Sequence, residues 1–410
     1  MQRRARPAGL IENTAAVMGS AISITTGAPP YSLRGFLLYF VRLGTLGFGG
    51  QIALAARMEK DLVEERGWIS RQDYVEGLAF SQLSPGPLAA QLAMYLGWVR
   101  AGRFGAAVVS AAFILPSFLM AIVVAAAYVY FGQLSWIQGM FYGIGAAVIA
   151  IIAQSAFRLA RKTLGKDLLL WLIFASVAIT TVWTGSEIVW LFVLCGVISV
   201  VVKAAPAFLS KPAVPSIAAG FGWLLTGAQG TASTGLLWSL FFFFLKAGAF
   251  VFGSGLAIVP FLYGGVVGRF HWLTEQQFLD AIAVAMITPG PVVITAAFIG
   301  YLVAGLLGGT VAAIAVFAPP FLIVLLAAPY YRRFAGNPQV KAFVQGVTAA
   351  AVGAIAGAAV ILGKRSLVDI PTLMIGLITF LVLVKLRKVP EPVLILMAGG
   401  IGLLLHHGNP

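Results

Sequence analysis

The chain has 410 residues, 60% of them hydrophobic and 10% charged, with a mean hydropathy of +0.97 and a net charge of +14. That balance excludes a soluble fold and defines an all-α polytopic membrane protein, in which the excess Lys and Arg belong to cytoplasmic loops rather than to a nucleic-acid surface. The one cysteine, Cys195, excludes a disulfide framework, and without HExxH, GxSxG or a complete phosphate-binding loop no metal, cofactor or catalytic residue is expected.

Residues 1–32 form a basic tail with Arg3, Arg4 and Arg6. The stretch that follows is interrupted by Glu12, Asn13 and Thr14, so the tail reads as cytoplasmic and not as a cleaved signal. Hydropathy then predicts six spans within 33–204, near 35–56, 73–98, 104–131, 136–160, 167–183 and 187–203. A linker, 205–234, carries a central thirteenth span near 213–227. Six more spans lie within 235–410, near 235–262, 275–301, 305–328, 340–363, 369–386 and 390–406. Twelve spans, without the central one, is the alternative.

Ser84-Pro85-Gly86-Pro87 recurs as Thr288-Pro289-Gly290-Pro291, an offset of 204 residues (288 − 84). The same offset places Phe48-Gly49 on Phe252-Gly253, Trp68 on Trp272, Ser70 on Thr274, Gly105 on Gly309 and Pro116 on Pro320. It also places Glu76 on Asp280 and Arg42 on Lys246. The chain is therefore an internal duplication.

Lys and Arg collect on the cytoplasmic side. The turn 100–103 carries Arg100 and Arg103, and the loop 157–167 carries Arg158, Arg161, Lys162 and Lys166, whereas 131–135 and 184–187 carry none. In the second half the pattern reverses: 302–308 is uncharged and 329–341 carries Arg332, Arg333 and Lys341. This predicts inverted halves, a cytoplasmic N-terminus and an external C-terminus. Two loops disagree. Lys364-Arg365 falls outside, and so does 57–71, which holds Arg57, Lys60, Arg66 and Arg71 beside four acids.

Paired Pro/Gly interruptions in inverted halves point to the substrate site of a secondary transporter. Pro85 and Pro87 end one helix, Gly86 supplies the turn, and a half-helix starts at the break with free N–H groups from about Leu88 to Gln91. The second copy does the same from Val292 to Thr295. Free N–H groups and aligned peptide dipoles attract an anion. Around the breaks Ser84, Gln91, Thr288 and Thr295 offer uncharged hydrogen-bonding groups, or satisfy local carbonyls. Gly86, Pro87, Gly290 and Pro291 shape the breaks, while Gly49, Gly50, Gly253 and Ser254 allow close backbone approach or helix packing.

Arg42 and Lys246 sit inside apolar spans, where a basic residue costs about 2.5–3.5 kcal/mol on insertion scales. They attract the anion, pair with Glu76 or Asp280, or snorkel to an interface. Glu76 and Asp280 lie in the first turns of the half-helices before each break, as dipole partners or as groups for coupling and gating.

Phe48-Gly49-Gly50, Gly67-Trp68-Ile69-Ser70, Pro85-Gly86-Pro87 and Gln91 to Trp98, followed by Phe252-Gly253, Trp272-Leu273-Thr274, Asp280 and the second Pro-Gly-Pro, resemble the chromate ion transporter family in its long, two-domain form. The resemblance implies a prokaryotic cytoplasmic (inner) membrane protein that exports chromate. The chain departs from the family pattern at Gln51, where Pro is common, and at Leu88 and Met286, where acids occur. Sulfate is the chemically similar anion, and an importer or exchanger of sulfate or another oxyanion is the alternative. An intramembrane lipid-phosphate enzyme would need a nucleophile or metal cluster that the sequence lacks. The expected partners are a small oxyanion and the lipid bilayer; a homo-oligomer is compatible with this reading.

Overall fold

The computed structural model describes residues 32–48, 50–132, 134–184, 189–208, 234–251, 255–331, 336–386 and 389–406. The expected span near 213–227 and three candidate residues, Gly49, Gly253 and Ser254, lie outside them. Every regular element among the described residues is helical.

Helix α1 (Leu33–Leu46) starts where the Ser32 side chain accepts the Gly35 N–H at 3.1 Å. It buries Phe36, Phe40, Leu43 and Gly44. After Gly47 the chain reverses into α2 (Gly50–Met58), which continues through a π-helical stretch, Glu59–Glu65. Arg66 then lies 5.3 Å over the Tyr39 ring, and Trp68 comes within 6.3 Å of Phe36. A continuous helix would separate residues 36 and 68 by about 48 Å. The segment expected as a span at 35–56 is thus a hairpin with its tip near Gly47.

The second element pair repeats the device. Helix α3 (Arg71–Leu83) is capped by the Ser70 side chain, which accepts the Asp73 N–H at 3.0 Å. Helix α4 (Leu88–Phe131) begins after Pro87. Gly77 faces Tyr95 so closely that an added Cβ would lie 2.5 Å from its ring, and Phe80 and Tyr95 have ring centroids 5.6 Å apart. Residues 77 and 95 would be about 27 Å apart along one rod. The interruption at 84–87 is therefore the tip of a second hairpin, and 73–98 is not one through-going span.

Helix α4 itself reverses at Ala101-Gly102, where the backbone leaves helical geometry. Gly97 packs against the Gly105 carbonyl, a contact a straight helix cannot make. This is the turn expected at 100–103. Three long elements follow: α5 (Ser135–Leu164), α6 (Leu168–Thr184) and α7 (Val189–Phe208).

The second repeat has the same order. Helix α8 (Thr234–Ala249) is followed by a 3₁₀ turn (Gly255–Ala257), α9 (Ile258–Leu262) and a π-helical stretch (Tyr263–Arg269). Phe243 meets Phe261 at 5.3 Å and Trp272 at 5.6 Å, so this arm also doubles back. Helix α10 (Glu275–Ile287) leads through the second break and a 3₁₀ turn (Val292–Ile294) into α11 (Thr295–Ala327). Helices α12 (Pro338–Ser366), α13 (Ile370–Lys385) and α14 (Glu391–His406) complete the repeat.

The 204-residue equivalence holds through the breaks and then slips by one. Ala101-Gly102 corresponds to Ala304-Gly305, which has nearly the same backbone angles, an offset of 203 (304 − 101). Gly105 therefore matches Gly308, and Pro116 matches Pro319, rather than Gly309 and Pro320. The second repeat starts its half-helix with a 3₁₀ turn, which uses three residues per turn instead of 3.6 and saves one residue.

The repeats are interlocked. Helix α5 of the first packs on α14 and α13 of the second, and α12 of the second on α6 and α7 of the first. Small residues carry these contacts: Gly143 abuts the Ala398 carbonyl and Gly353 the Phe174 carbonyl. Among the described residues, Leu88–Phe131, Ser135–Leu164, Val292–Tyr330 and Pro338–Ser366 are long and apolar enough to cross a bilayer. Apolar surface rings the molecule, including Val123, Trp183, Leu307 and Leu326. The chain is a membrane protein.

Candidate functional site

The four hairpin tips meet. The Gly86 N–H donates to the Val251 carbonyl at 2.6 Å, and the Gly290 N–H donates to the Gly47 carbonyl at 3.0 Å. Positions 47 and 251, like 86 and 290, are related by 204, so the contact is reciprocal. Both glycines have positive φ, 141° and 104°. A Cβ at Gly86 would lie 2.6 Å from Pro320 Cβ, and one at Gly290 would collide with Ser117 Oγ. Only glycine combines this backbone with this closeness.

The helix starts at the tips are partly satisfied from within. Gln51 Oε1 accepts the Leu88 N–H at 2.8 Å, and the Gln91 N–H donates to the Pro87 carbonyl at 2.9 Å. The four free groups expected at 88–91 therefore reduce to Ala89 and Ala90, whose first-turn positions have no intrahelical carbonyl in reach. In the second copy the Ile294 N–H donates to the Pro291 carbonyl at 2.9 Å, and the Thr295 N–H to carbonyls of its own turn. Val292 and Val293 are left.

Two amide side chains dominate the space between the tips. Gln51 is 7% exposed and Gln91 is 0% exposed. Gln51 reaches across the repeats: its Oε1 holds Leu88, and its Nε2 lies beside Gly255, close enough that a Cβ there would be 2.5 Å away. That Gly255 position also abuts Val292, so one side chain spans both helix starts. Among the described residues Gln51 Nε2 has no hydrogen-bond partner, nor has Gln91 Oε1, although Gln91 Nε2 donates to the Pro85 carbonyl at 2.7 Å. A buried polar atom left unpaired costs about 1–3 kcal/mol, which an incoming ligand atom recovers.

The hydroxyls are engaged locally. Ser84 Oγ donates to the Phe80 carbonyl at 2.8 Å, Thr288 Oγ1 to Val284 at 2.7 Å and Thr295 Oγ1 to Val292 at 2.6 Å. In this arrangement they satisfy carbonyls of their own helices, the second of the two roles open to them. Pro87 and Pro291 cap the helix starts in extended geometry, and Gly50 has a φ of 74° at the start of α2.

The charged candidates lie on the helices that lead into the tips. Arg42 is exposed on the outward side of α1, the side that also shows Leu38 and Leu46. Lys246 is half-buried on α8 with Arg269 as a like-charged neighbour. Asp280, 3% exposed, accepts from Tyr128 Oη at 2.6 Å and from Gln276 Nε2 at 2.9 Å. Glu76 accepts from Gln72 Nε2 at 3.1 Å, and Tyr331 lies within its electrostatic reach. Gln72 and Gln276, Glu76 and Asp280, and Tyr128 and Tyr331 are equivalent pairs, so each repeat's acid faces a tyrosine of the other.

Gln51 and the two tyrosines were missed as site residues by sequence reasoning. The signal for Gln51 was present: an amide inside an apolar stretch, directly after a glycine pair. Nothing local pointed to Tyr128, which lies 152 residues from Asp280.

Comparison with known proteins agrees with the duplication. The family model described as "Chromate transporter" matches twice, over residues 35–200 and 238–403. The chain is 55% identical over 384 residues to the "Chromate transport protein" of Cupriavidus metallidurans, covering 93% of this chain and 96% of that one. It is 52% identical over 387 residues to the "Probable chromate transport protein" of Synechococcus elongatus, covering 92% and 96%. A "Chromate transport protein" of Pseudomonas aeruginosa is 32% identical over 378 residues, covering 88% of each chain. No solved structure matches.

Proposed function

The chain belongs to the chromate transporter family, and from that premise we propose that it exports chromate through a site between the four hairpin tips. The first-turn N–H groups of Ala89, Ala90, Val292 and Val293 and the Nε2 of Gln51 surround one tetrahedral dianion. The observation that carries this reading is Gln51 Nε2, a buried donor without a partner among the described residues, on a side chain that touches the starts of both half-helices. Uncharged donors and helix dipoles hold an anion loosely enough to release it, which a lysine cluster would not.

The hairpins also support the inverted topology. If they dip into the bilayer and return, the loop 57–71 lies on the same face as the N-terminal tail and the turn 100–103. Its Arg57, Lys60, Arg66 and Arg71 then obey the charge rule that a through-going span would break. Four crossings by α4 after its turn, α5, α6 and α7, together with the central span expected from the sequence near 213–227, outside the described residues, would invert the second repeat and put the C-terminus outside. Export of a dianion from a cell with a negative interior gains about 4.6 kcal/mol per 100 mV, so the membrane potential alone drives it. The membrane is the cytoplasmic membrane of a prokaryote.

The test is flux of labelled chromate into inverted vesicles, with sulfate as competitor. Gln51→Glu places a carboxylate at the anion and should reduce affinity for chromate about tenfold or more while folded protein stays in the membrane; Gln51→Leu should reduce it less. Wild-type KM in both variants would overturn the site. Faster flux of sulfate than of chromate would reassign the substrate.

A further inference from the structure

A cavity of about 760 Å³ opens at the end of α5 and runs inward to Phe48, beside the tip at Gly47. Its mouth carries Arg158, Arg161 and Lys162, with Glu391 of α14 opposite. The Arg158–Glu391 pair, at 3.8 Å, leaves the Arg158 side chain 61% exposed. Among the described residues three positive charges therefore face one negative charge. Deeper in, Gln154 is 9% exposed, and its Oε1 has no partner among the described residues. A half-turn of that amide would present its donor to an anion instead.

The other repeat carries a smaller basic group at the equivalent helix end. At the 203-residue offset Lys364 and Arg365 stand where Arg161 and Lys162 do. There Arg365 forms an ion pair with Glu275, whose Oε1 also accepts from Tyr263 Oη at 3.2 Å. Glu275 corresponds to Arg71 at the 204 offset, so the first repeat has no acid in the equivalent place. Of the second pair Arg365 is neutralised, whereas Arg161 and Lys162 both line an open cavity. Basic residues at a helix C-terminus are ordinary dipole partners at a membrane surface. That accounts for the charges but not for the cavity, the buried amide oxygen in it without a described partner, or the pairing of Arg365 where Lys162 has no acid equivalent to Glu275.

We infer that this cavity is the intake vestibule for a dianionic oxyanion, which the Arg158–Arg161–Lys162 mouth concentrates from one face and delivers toward the tips, while the Arg365–Glu275 pair closes the opposite face. The inference rests on the reading of the chain as an anion transporter. Charge focused at a mouth raises the encounter rate and acts through the apparent affinity rather than the maximal rate, and it fades with salt.

The experiment places a reporter in the cavity with Leu386→Cys in a Cys195→Ala background, in vesicles of phosphatidylcholine. Anionic and cationic thiosulfonate reagents are applied, each rate normalised to a free thiol. The anionic reagent should react about tenfold faster or more, from one face only, and Arg161→Gln with Lys162→Gln should bring the ratio near one. In the same double variant the KM for chromate presented from that face should rise about tenfold with unchanged maximal rate, and from the opposite face it should not change. A ratio near one in the parent, a ratio insensitive to the charge substitutions, or an equal KM change from both faces overturns the proposal. Slower labelling when phosphatidylglycerol is included also overturns it and assigns the mouth to lipid headgroups. A charge-selective ratio in a parent that moves no chromate supports the vestibule and defeats the transport reading instead.

Discussion

The backbone N–H of Gly86 donates to the carbonyl of Val251 at 2.6 Å, so a tip built by the first repeat is closed by the second. Its counterpart, Gly290 to Gly47, runs the other way. The Pro-Gly-Pro sequences end helices, but their glycines also leave room for a neighbouring chain.

Gly290→Ala should therefore fail as a folded protein more than as a transporter. The new Cβ meets Ser117 Oγ at a backbone φ of 104°, and strain of this kind costs about 1–3 kcal/mol. Melting of the detergent-solubilised protein should show a clear loss, partly recovered by adding Ser117→Gly. Gly145→Ala, where nothing lies within 4 Å, should be neutral. Equal melting of the Gly290 and Gly145 variants would show that the tip tolerates a side chain.

Tyr128→Phe should destabilise the protein by about 1–3 kcal/mol, because it strips a hydroxyl donor from the buried Asp280. Gln276 remains, so the carboxylate keeps one partner. Tyr331→Phe should cost less, since Glu76 is only half-buried. The reverse order of the two melting temperatures would refute the equivalence drawn between these pairs.

The loop pair Asp167–Lys203, at 2.5 Å, gives a pH signature. The hydrogen bond from Lys203 holds the Asp167 carboxyl below its usual range. A depressed folded-state pKa adds stability above the unfolded value near about 4 and loses it as pH falls through the folded value. The wild type should lose melting temperature more steeply than Asp167→Asn on acidification below about pH 4. Parallel acid limbs would mean that the pair contributes nothing.

Topology is open to labelling in a Cys195→Ala background. Cysteine introduced by Lys60→Cys should react from the same face as Arg103→Cys, and from the face opposite to Asn409→Cys. Reaction of Lys60→Cys from the Asn409 side would restore a through-going span at 35–56.

The duplication, the breaks and the turn at 100–103 were legible because proline, glycine and charge mark them locally. The hairpins were not. A proline-broken rod and a fold-back carry the same residues at the break; what separates them is the pairing of Gly77 with Tyr95 and of Tyr39 with Arg66, which involves residues 18 and 27 positions apart (95 − 77 and 66 − 39). The one-residue slip was hidden for a similar reason, since a 3₁₀ turn over Val292–Ile294 leaves no mark in composition. Gln51 was visible as an oddity, but its role depends on Leu88 and Val292, which only the folded chain brings to it.

Because each tip borrows its closing carbonyl from the other repeat, neither half contains a finished set of tips. A polypeptide severed between Phe208 and Thr234 would be two unfinished pieces, each exposing an orphaned glycine amide until the other arrives. The covalent linker is then a matter of supply: it delivers the two pieces in equal number and at the same place. Two separately made chains could take up the same architecture only by finding each other in the bilayer.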